Sequence, residues 1–433
     1  MNISKTQVSR VLVVLIFLAN IMFFSLPGIA SALSSICGFT NKRLVVFLII
    51  VLLLFYFGTK YPLSIFKGAS SRIAIYYICM CLITFIISCF SYNGVGIKTF
   101  VSNYYYFAAI LLYFPLKHML KNQDDYRWLV HTIILIGTIY AIYMIGAKLI
   151  YSYSGRIIFD QTAQYVQQRN GSLRLARPAS FVCISTIFSF TEWLKYSITG
   201  NKTSKKYFLL FCIGMFCLVW VTQTRIYQLA FLISCSVTLA TVFNNKKKII
   251  LFFALLFFIP IIIGEIREFY LSFYSVENIW GTEIRVSGYT YFLSHMFDNY
   301  ICGIGLVSGT PQALLLTGGK TQYGYVITDM GYTGFLGVYG ILGVALLILL
   351  GRLFLKTKVK IEQKNLLLTY PEVISLPILF VIMTWSLSFT DPQRCLYLPI
   401  ILAVYSFYES QSINQLTENG DYYECINYKC ALG

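Results

Sequence analysis

Hydrophobic runs recur along almost the whole chain, and short polar loops separate most of them. A helix needs about 20 apolar residues to cross a bilayer. The second and ninth runs are short, so ten or eleven spans would fit as well as twelve. The pattern predicts about twelve membrane-spanning helices: Val8–Leu26, Leu44–Phe57, Ile73–Phe90, Phe100–Leu116, Trp128–Tyr151, Pro178–Ser197, Tyr207–Val221, Ile226–Phe243, Ile249–Gly264, Gly334–Leu355, Val373–Phe389 and Cys395–Tyr408.

Two of the loops are much longer than the others, at residues 152–177 and 265–333. The first has four arginines against one aspartate, a net charge of +3, and the second has three basic against six acidic side chains, a net charge of −3. Opposite charges attract, so we expect the two loops to fold over each other. Two solvated loops that do not touch are the alternative.

Composition places the chain in the bilayer, because 58% of its residues are hydrophobic and only 12% are charged. No soluble domain of ordinary size fits between the predicted spans. We therefore expect an all-α, polytopic membrane protein in which residues 1–433 form one integral-membrane domain, with a polar tail at about residues 409–433.

The formal net charge of +17 could indicate binding to nucleic acid, but its distribution suggests otherwise. Of the 34 lysines and arginines, 21 lie in alternate loops and in the terminal segments. Cytoplasmic loops of membrane proteins carry such an excess of positive charge. The pattern predicts cytoplasmic termini, places both long loops on the external side, and makes nucleic acid an improbable partner.

The twelve cysteines do not indicate a disulfide framework or a metal site. Most of them lie inside predicted spans, where cysteine behaves as a small apolar residue. Cys425 and Cys430 in the tail have no matching pair of histidines or cysteines. We expect no bound metal.

A tight turn between the seventh and eighth predicted spans carries polar side chains, Thr222-Gln223-Thr224-Arg225. An arginine at the end of a span can simply reach the lipid headgroups. Arginine also suits phosphate, because its planar guanidinium forms paired hydrogen bonds and keeps its proton. Both interpretations of Arg225 remain open.

Within the longer loop, residues 285–300 are predicted to form an amphipathic helix at the membrane interface. His295 follows Arg285 by ten residues, about 15 Å along a helix, so helical geometry does not pair them. His295 is either a surface or packing histidine or a substrate-binding one. Apolar side chains recur on one face at spacings of four and three: Tyr289, Phe292 and Met296.

Asp329 lies at the predicted outer end of the tenth span, where an ionisable residue is a candidate for function. It could instead cap the start of that helix, a role worth about 1 kcal/mol. Small residues let helices approach closely, so we assign a packing role to the glycines that follow at intervals of three: Gly331, Gly334, Gly337, Gly340 and Gly343. The turn between the last two spans, Asp391-Pro392-Gln393-Arg394, is interpreted as an ion-paired turn.

Three segments together resemble the superfamily of O-antigen polymerases and O-antigen ligases, which are polytopic glycosyltransferases of the GT-C type. These segments are the Thr222–Arg225 turn, Arg285 ahead of Gly303-Ile304-Gly305, and Thr328-Asp329-Met330-Gly331-Tyr332-Thr333-Gly334-Phe335. The superfamily's Thr-x-Ser-Arg turn is Thr-Gln-Thr-Arg here. Its ligases carry a His-Asn pair ahead of the tenth span, whereas this chain has Tyr325-Val326-Ile327-Thr328-Asp329, which favours a polymerase.

The resemblance implies that the substrates are undecaprenyl diphosphates carrying oligosaccharide repeat units of O-antigen or capsule, used without nucleotide, metal or other cofactor. It also implies the bacterial inner membrane, an active site on the periplasmic side, and a partner protein that regulates chain length. The site residues follow from the same comparison. Arg225, Arg285 and Asp329 would be catalytic, the two arginines stabilising the leaving diphosphate and Asp329 acting as base, and the substrate-binding residues would be Arg156, Arg169, Arg174, Arg177 and His295.

Two alternatives to a polymerase remain open. One is a ligase-type glycosyltransferase that uses the same lipid carrier. The other is a flippase or transporter for lipid-linked oligosaccharides, which should carry its charges inside a central cavity. The absence of an evident internal repeat weighs against a transporter built from repeated halves.

Overall fold

The structure of this chain, a computed structural model, describes residues 5–21, 41–57, 66–156, 166–169, 172–175, 179–242, 276–299, 301–319, 324–363 and 366–410. These residues are predominantly helical. Among the described residues, five helices are long and apolar enough to cross a membrane: Ala69–Ser91, Gln123–Ser154, Ser204–Thr222, Arg225–Val242 and Gly331–Glu362. The expectation of a helical membrane protein is confirmed at this level.

The elements follow one another in chain order, numbered as they appear. The α-helices are α1 (Lys5–Asn20), α2 (Asn41–Phe57), α3 (Ala69–Ser91), α4 (Ile97–Ser102), α5 (Tyr104–Ala108), α6 (Tyr113–Met119), α7 (Gln123–Ser154), α8 (Ser180–Ile198), α9 (Ser204–Phe216), α10 (Arg225–Val242), α11 (Val276–Ser294), α12 (Gly331–Glu362), α13 (Glu372–Ser386) and α14 (Tyr397–Ser410). A π-helix, Cys217–Thr222, extends α9. Short 3₁₀ helices span Ala109–Leu112, His295–Phe297, Pro311–Thr317 and Ile327–Asp329. Two strands, β1 (Val166–Arg169) and β2 (Ser172–Leu175), pair as an antiparallel hairpin.

Each predicted span within the described residues overlaps one or more of these helices, and the ninth, Ile249–Gly264, lies outside them. The fourth prediction was wrong in one respect, because Phe100–Leu116 is not one continuous helix. It is divided into α4, α5, a 3₁₀ turn and α6, with the first break at Asn103. The predicted interface helix also begins earlier than residue 285, since α11 starts at Val276.

Helix ends and loops gather in two groups at opposite ends of the bundle. One group is here called the lysine-rich end. Its contacts are an ion pair between Arg10 and Asp125 at 2.8 Å, a hydrogen bond from Lys117 to the Ser71 hydroxyl at 2.7 Å, and one from Lys360 to the carbonyl oxygen of Tyr408 at 3.1 Å. These side chains belong to the loops and helix ends predicted to be cytoplasmic. The structure therefore places several of the predicted cytoplasmic segments at one end, while their orientation in a membrane stays a prediction.

The other group, here called the arginine end, contains the turns predicted to be external. The side chain of Asn20 donates to the carbonyl oxygen of Pro392 at 3.2 Å, and the Ser180 hydroxyl donates to that of Gln393 at 2.5 Å. The Ser388 amide donates to the carbonyl oxygen of Thr328 at 2.9 Å. These bonds connect α1, α8, the 3₁₀ turn before α12 and the turn between α13 and α14.

A break inside α12 anchors the end of the long loop. Gly340 has φ 55° and ψ −136°, which interrupts the helix and frees backbone carbonyls. The amides of Ile304 and Gly305 donate to the carbonyl oxygens of Gly337 and Val338, at 2.7 and 3.1 Å. A broken helix is tolerated at membrane depth when neighbouring backbone satisfies it in this way. Gly337 and Gly340 of α12 therefore lie in close contact with the segment 301–305, whereas Gly331 lies against the backbone of Thr384 and Trp385.

The long loop also has a small apolar core of its own. Phe292, Ile304, Val307 and Met330 are buried together, with Tyr289 packed against them. Phe292 is on the predicted apolar face of α11, and Met296 is half-buried. The described part of the loop is thus folded onto the start of α12, which fixes the positions of Arg285 and Asp329.

Candidate functional site

The turn Thr222–Arg225 has an unusual backbone because α9 ends in a π-helix. Gln223 then adopts φ 48°, the one positive φ among non-glycine residues in the described part of the chain. Both π-helical turns and left-handed non-glycine residues cost free energy, and they occur often at functional sites. The result is a tight reversal that places Arg225 at the first position of α10.

Carbonyl groups released by this π-helix are satisfied by side chains from other elements. Lys148 of α7 donates to the carbonyl oxygen of Trp220 and lies over its ring, 4.5 Å from the centroid. Gln228 of α10 donates to the carbonyl oxygen of Leu218 at 3.3 Å. Buried backbone groups need such partners, so Lys148 supports the turn.

Arg174 completes the support and links the shorter loop to the turn. It lies on β2, and its Nε atom donates to the carbonyl oxygen of Thr222 at 2.9 Å, while Nη2 donates to the hydroxyl of Thr224 at 3.3 Å. Burial lowers the pKa of its guanidinium, although Asp329 and Tyr227 act in the opposite direction. The cationic loop therefore meets the arginine turn directly.

Asp329 lies beside this arrangement, in the 3₁₀ turn that precedes α12. Burial raises the pKa of its carboxyl group above the ordinary value, and Arg394, Arg285 and Arg174 offset part of that shift. The alternative of helix capping is wrong, because Met330 occupies the N-cap position of α12 and no side-chain capping bond is present there. A half-buried carboxyl with a raised pKa among cationic neighbours fits a base better than a cap.

Arg285 lies on α11, near Arg174 and Asp329. Its side chain is exposed, and it interacts electrostatically with both Arg174 and Asp329. Arg225 interacts with Arg174 as well. Arg285 and Asp329 of the longer loop thus act electrostatically on Arg174 of the shorter loop, as Arg225 of the turn does. That the two loops fold over each other stays a prediction.

The prediction missed Arg394, which had been assigned only to an ion-paired turn. The ion pair exists, with Nη2 of Arg394 3.3 Å from Oδ2 of Asp391, but the guanidinium is also buried and interacts with Asp329. Its burial lowers its pKa, and Tyr227, Asp391 and Asp329 together raise it by more. An arginine in a minimal turn between two apolar spans was the available signal, since burying a charge there requires partners.

Together these residues form what we call the arginine cluster: Arg174, Arg225, Arg285, Arg394, Asp329 and Asp391. Four arginines against two aspartates give a net charge of +2. The cluster is cationic overall, and Asp329 is its carboxyl group with a raised pKa. Such a cluster can bind an anion and stabilise negative charge that develops on it.

The other predicted binding residues lie elsewhere or outside the described residues. His295 contacts Tyr291, Ser294 and Asp298 near the end of α11, with Nδ1 2.8 Å from the carbonyl oxygen of Tyr291 and Nε2 3.7 Å from Asp298. These local contacts fit the packing interpretation. Arg156 is exposed just after α7, Arg169 ends β1 with its side chain outside the described atoms, and Arg177 lies outside the described residues.

Four of the six cluster side chains are guanidinium groups, which do not act as metal ligands. Within the described ranges, no group of three His, Cys, Asp or Glu side chains is arranged to hold one. The chemistry available to the residues in place is anion binding and proton transfer.

Comparisons with protein-family models, with curated proteins and with solved structures find no match to this chain.

Proposed function

We propose that this chain is a membrane glycosyltransferase of the GT-C type with about twelve spans, and that it polymerises lipid-linked oligosaccharide repeat units of O-antigen or capsule. The observation that carries the proposal is the arginine cluster, in which Arg394, Arg285 and Arg174 act on Asp329 and Arg225 acts on Arg174. The resemblance of the three sequence segments to O-antigen polymerases supports it. The cluster would face the periplasm of a bacterial inner membrane.

In the proposed reaction, a hydroxyl oxygen of the acceptor repeat unit attacks the anomeric carbon of the donor glycan. The bond between that carbon and the diphosphate oxygen breaks, and undecaprenyl diphosphate leaves with the electron pair. Asp329 accepts the proton of the attacking hydroxyl. Arg285 and Arg225 stabilise the negative charge that develops on the diphosphate.

Arg174 and Arg394 have supporting roles in this scheme. Arg174 is held by the carbonyl oxygen of Thr222, so it orders the turn that presents Arg225. Arg394 is fixed by the carbonyl oxygen of Ser388 at 3.1 Å and by Asp391. From that position it adds positive charge near Asp329.

Charge placement favours this function over a flippase. A flippase needs cationic groups along a path across the membrane, whereas the buried charged residues in the described structure are gathered at the two ends. Lys148 and Arg394 belong to the arginine end, and Glu192, Lys195 and Glu372 belong to the lysine-rich end. Buried apolar side chains of α8, α13 and α14 fill the space between them.

The test is a carbohydrate gel from a strain that lacks this gene, complemented with wild type, with Arg285→Ala or with Arg72→Ala. Arg72 is an exposed arginine at the lysine-rich end and serves as the matched control. We expect wild type and Arg72→Ala to restore a full ladder. Arg285→Ala should give a single repeat unit with no ladder.

Other outcomes of this experiment would reject the proposal. Loss of all material that carries repeat units, including the single unit, would indicate a ligase or a flippase. A full ladder with Arg285→Ala would show that the arginine cluster does not carry the reaction.

A further inference from the structure

The predicted apolar face of α11 packs against the protein, and a second apolar face is left uncovered. On the predicted face, Phe292 is buried in the small core of the long loop. The uncovered face carries Val286, Leu293 and Phe297, whose spacings of seven and four residues place them on one side of a helix. They are 56%, 46% and 62% exposed, and Ile301, just beyond them, is 42% exposed. We call these four side chains the exposed stripe.

The exposed stripe is one side of an amphipathic stretch. Ser287, Ser294 and Asp298 each lie one residue after a member of the stripe, and all three are exposed. A polar side therefore runs alongside the apolar one. A helix with separate polar and apolar faces is typical of the membrane interface, and a contiguous apolar patch on a water-facing surface is uncommon. The pattern favours contact with lipid on one side and with water on the other.

The exposed stripe continues onto the apolar surface of α12. The Ile341 amide donates to the carbonyl oxygen of Ile301 at 2.9 Å. Ile341, Ile348 and Leu355 follow one another at intervals of seven residues and are 45%, 52% and 66% exposed. Since α12 is one of the helices long and apolar enough to cross a membrane, these side chains face acyl chains when it does so. The stripe therefore extends a surface that lipid covers.

Contacts with α12 show how deep the segment 301–306 lies. The Ile304 amide donates to the carbonyl oxygen of Gly337 at 2.7 Å, and Ile341 bonds to the same segment. The span predicted in α12 begins at Gly334. At about 1.5 Å per helical residue, Gly337 lies about 5 Å and Ile341 about 10 Å inside that span. The segment thus reaches below the arginine end of α12 and does not lie over it.

A second helix, α3, gives a similar depth independently, and it packs against α12. The Sγ atom of Cys302 donates to the Thr84 hydroxyl at 3.5 Å, and the Leu306 amide donates to the Ser88 hydroxyl at 2.9 Å. The span predicted in α3 ends at Phe90, so Ser88 lies about 3 Å and Thr84 about 9 Å inside it. Both helices therefore place the segment beside the membrane-spanning part of the bundle.

Backbone groups of this region are bonded within the protein. The amides of Asn299 and Cys302 each donate to the carbonyl oxygen of the other residue, at 3.1 and 2.9 Å. Nδ2 of Asn299 donates to the carbonyl oxygen of Gly303 at 2.9 Å. Non-helical backbone is tolerated at membrane depth only where the protein or a water-filled cavity satisfies it, whereas a solvated loop can leave its polar groups to water. The bonding agrees with insertion into the membrane.

We propose that the end of α11 and the segment 301–306 form a re-entrant element, inserted into the leaflet at the arginine end, whose exposed stripe contacts lipid acyl chains. The inference requires a membrane-spanning chain and not the proposed reaction. Earlier in α11, Gly288 lies against Met330, which precedes the span predicted in α12. The start of α11 is therefore the shallow end of the element, and Arg285 stays at the level of the lipid headgroups.

Fluorine NMR distinguishes lipid from water at a single side chain. Full-length protein in lipid nanodiscs carries trifluoromethylphenylalanine in place of one residue, which is Phe297 of the stripe, Phe216 of α9 or Ser287 of α11. Phe216 is 49% exposed within a predicted span and is the lipid-facing control, and Ser287 is the water-facing control. Broadening of the signal is measured with a phospholipid that bears a nitroxide on its acyl chain, and separately with a water-soluble gadolinium chelate.

We expect the nitroxide lipid to broaden the signal at Phe297 as strongly as at Phe216, while the chelate broadens only the signal at Ser287. Should the label at Phe297 prevent folding, the same measurement at Leu293 decides the question. Broadening of the stripe signal by the chelate and not by the lipid would show a solvated loop. A signal that neither reagent broadens would show that protein, such as a second copy of the chain, covers the stripe. Either result overturns the re-entrant element and leaves the polymerase proposal to the ladder experiment.

Discussion

The Nε atom of Arg174 donates a hydrogen bond to the carbonyl oxygen of Thr222 at 2.9 Å. This bond joins a residue of the β1–β2 hairpin to the last residue of a π-helix, 48 positions later in the chain. It shows how the shorter loop orders the turn Thr222–Arg225. The turn depends on side chains from outside because its own backbone does not satisfy all its carbonyls.

Arg174 is therefore expected to be essential for polymerisation, while Arg156 of the same loop is not. Arg174→Ala removes the bonds to Thr222 and Thr224 and one positive charge from the cluster, so we expect polymerisation to fall by about 10²-fold or more. Arg156 is exposed after α7, and Arg156→Ala should leave the ladder unchanged. Ladder length at equal protein level measures both, and similar losses in the two variants would contradict a specific role for Arg174.

We expect the rate of polymerisation to fall at low pH, and the fall to begin at a pH above the ordinary titration range of an aspartate. The pKa of Asp329 is raised, chiefly by burial, and a base must be ionised to accept a proton. The rate should rise with pH through that raised pKa, and Asp329→Asn should abolish it. The pH–rate profile of reconstituted protein checks this, with Asp298→Asn, an exposed aspartate, as the control.

The same shift predicts the effect of Asp329→Asn on stability. A carboxyl group with a raised folded-state pKa binds more protons when folded than when unfolded, so stability falls as pH rises from the unfolded pKa through the folded one. An asparagine at this position cannot ionise and avoids that loss. We expect the inactive Asp329→Asn protein to unfold at an equal or higher temperature than wild type near neutral pH; a clearly lower temperature would show that the charge is needed for the fold.

Gly303 should not tolerate a side chain, because a Cβ atom there would overlap the carbonyl oxygen of Gly337. We expect Gly303→Ala to destabilise the protein by roughly 1–3 kcal/mol or more, since backbone must move. Gly351 is the matched control on α12, because a Cβ atom there would meet open space, and Gly351→Ala should stabilise the helix by about 0.5–1 kcal/mol. Apparent unfolding temperature in detergent measures both, and equal effects would argue against the tight contact of segment 301–305 with α12.

A buried ionic group at the lysine-rich end should matter for stability and not for the reaction. Nζ of Lys195 lies 2.8 Å from Glu192 and 3.0 Å from Glu372, and the hydroxyl of Tyr126 donates to Glu372 at 2.6 Å. Lys195→Met leaves two buried carboxylates without their cation, at a cost of about 3–5 kcal/mol. We expect low protein yield but a normal ladder per molecule, with Lys205→Met, an exposed lysine, unaffected.

A second substitution distinguishes the loss of a charge partner from the loss of side-chain packing at Lys195. Adding Glu372→Gln to Lys195→Met removes one of the unpaired carboxylates and should recover part of the stability. No recovery in the double variant would mean that packing of the lysine side chain, and not its charge, is what the group requires.

Hydropathy and charge alone determined most of the helical framework. Apolar runs of span length must avoid water, and each described one overlaps helix, as Trp128–Tyr151 does with α7 and Gly334–Leu355 with α12. The break at Asn103 was not predictable from the run Phe100–Leu116, because hydropathy does not register where backbone bonding is interrupted. Predictions on residues 243–275 and on the tail beyond Ser410 lie outside the described residues.

Which residues meet was decided by the tertiary structure. Arg225, Arg285 and Asp329 were each candidates from local sequence, but their relation depends on how α11 packs on α12 and on Arg174 of β2, which is influenced by all three. The same packing separates His295 from the cluster and buries Arg394 within it. A sequence pattern records which side chains need water, lipid or a partner, whereas distances between remote segments follow only from the packed fold.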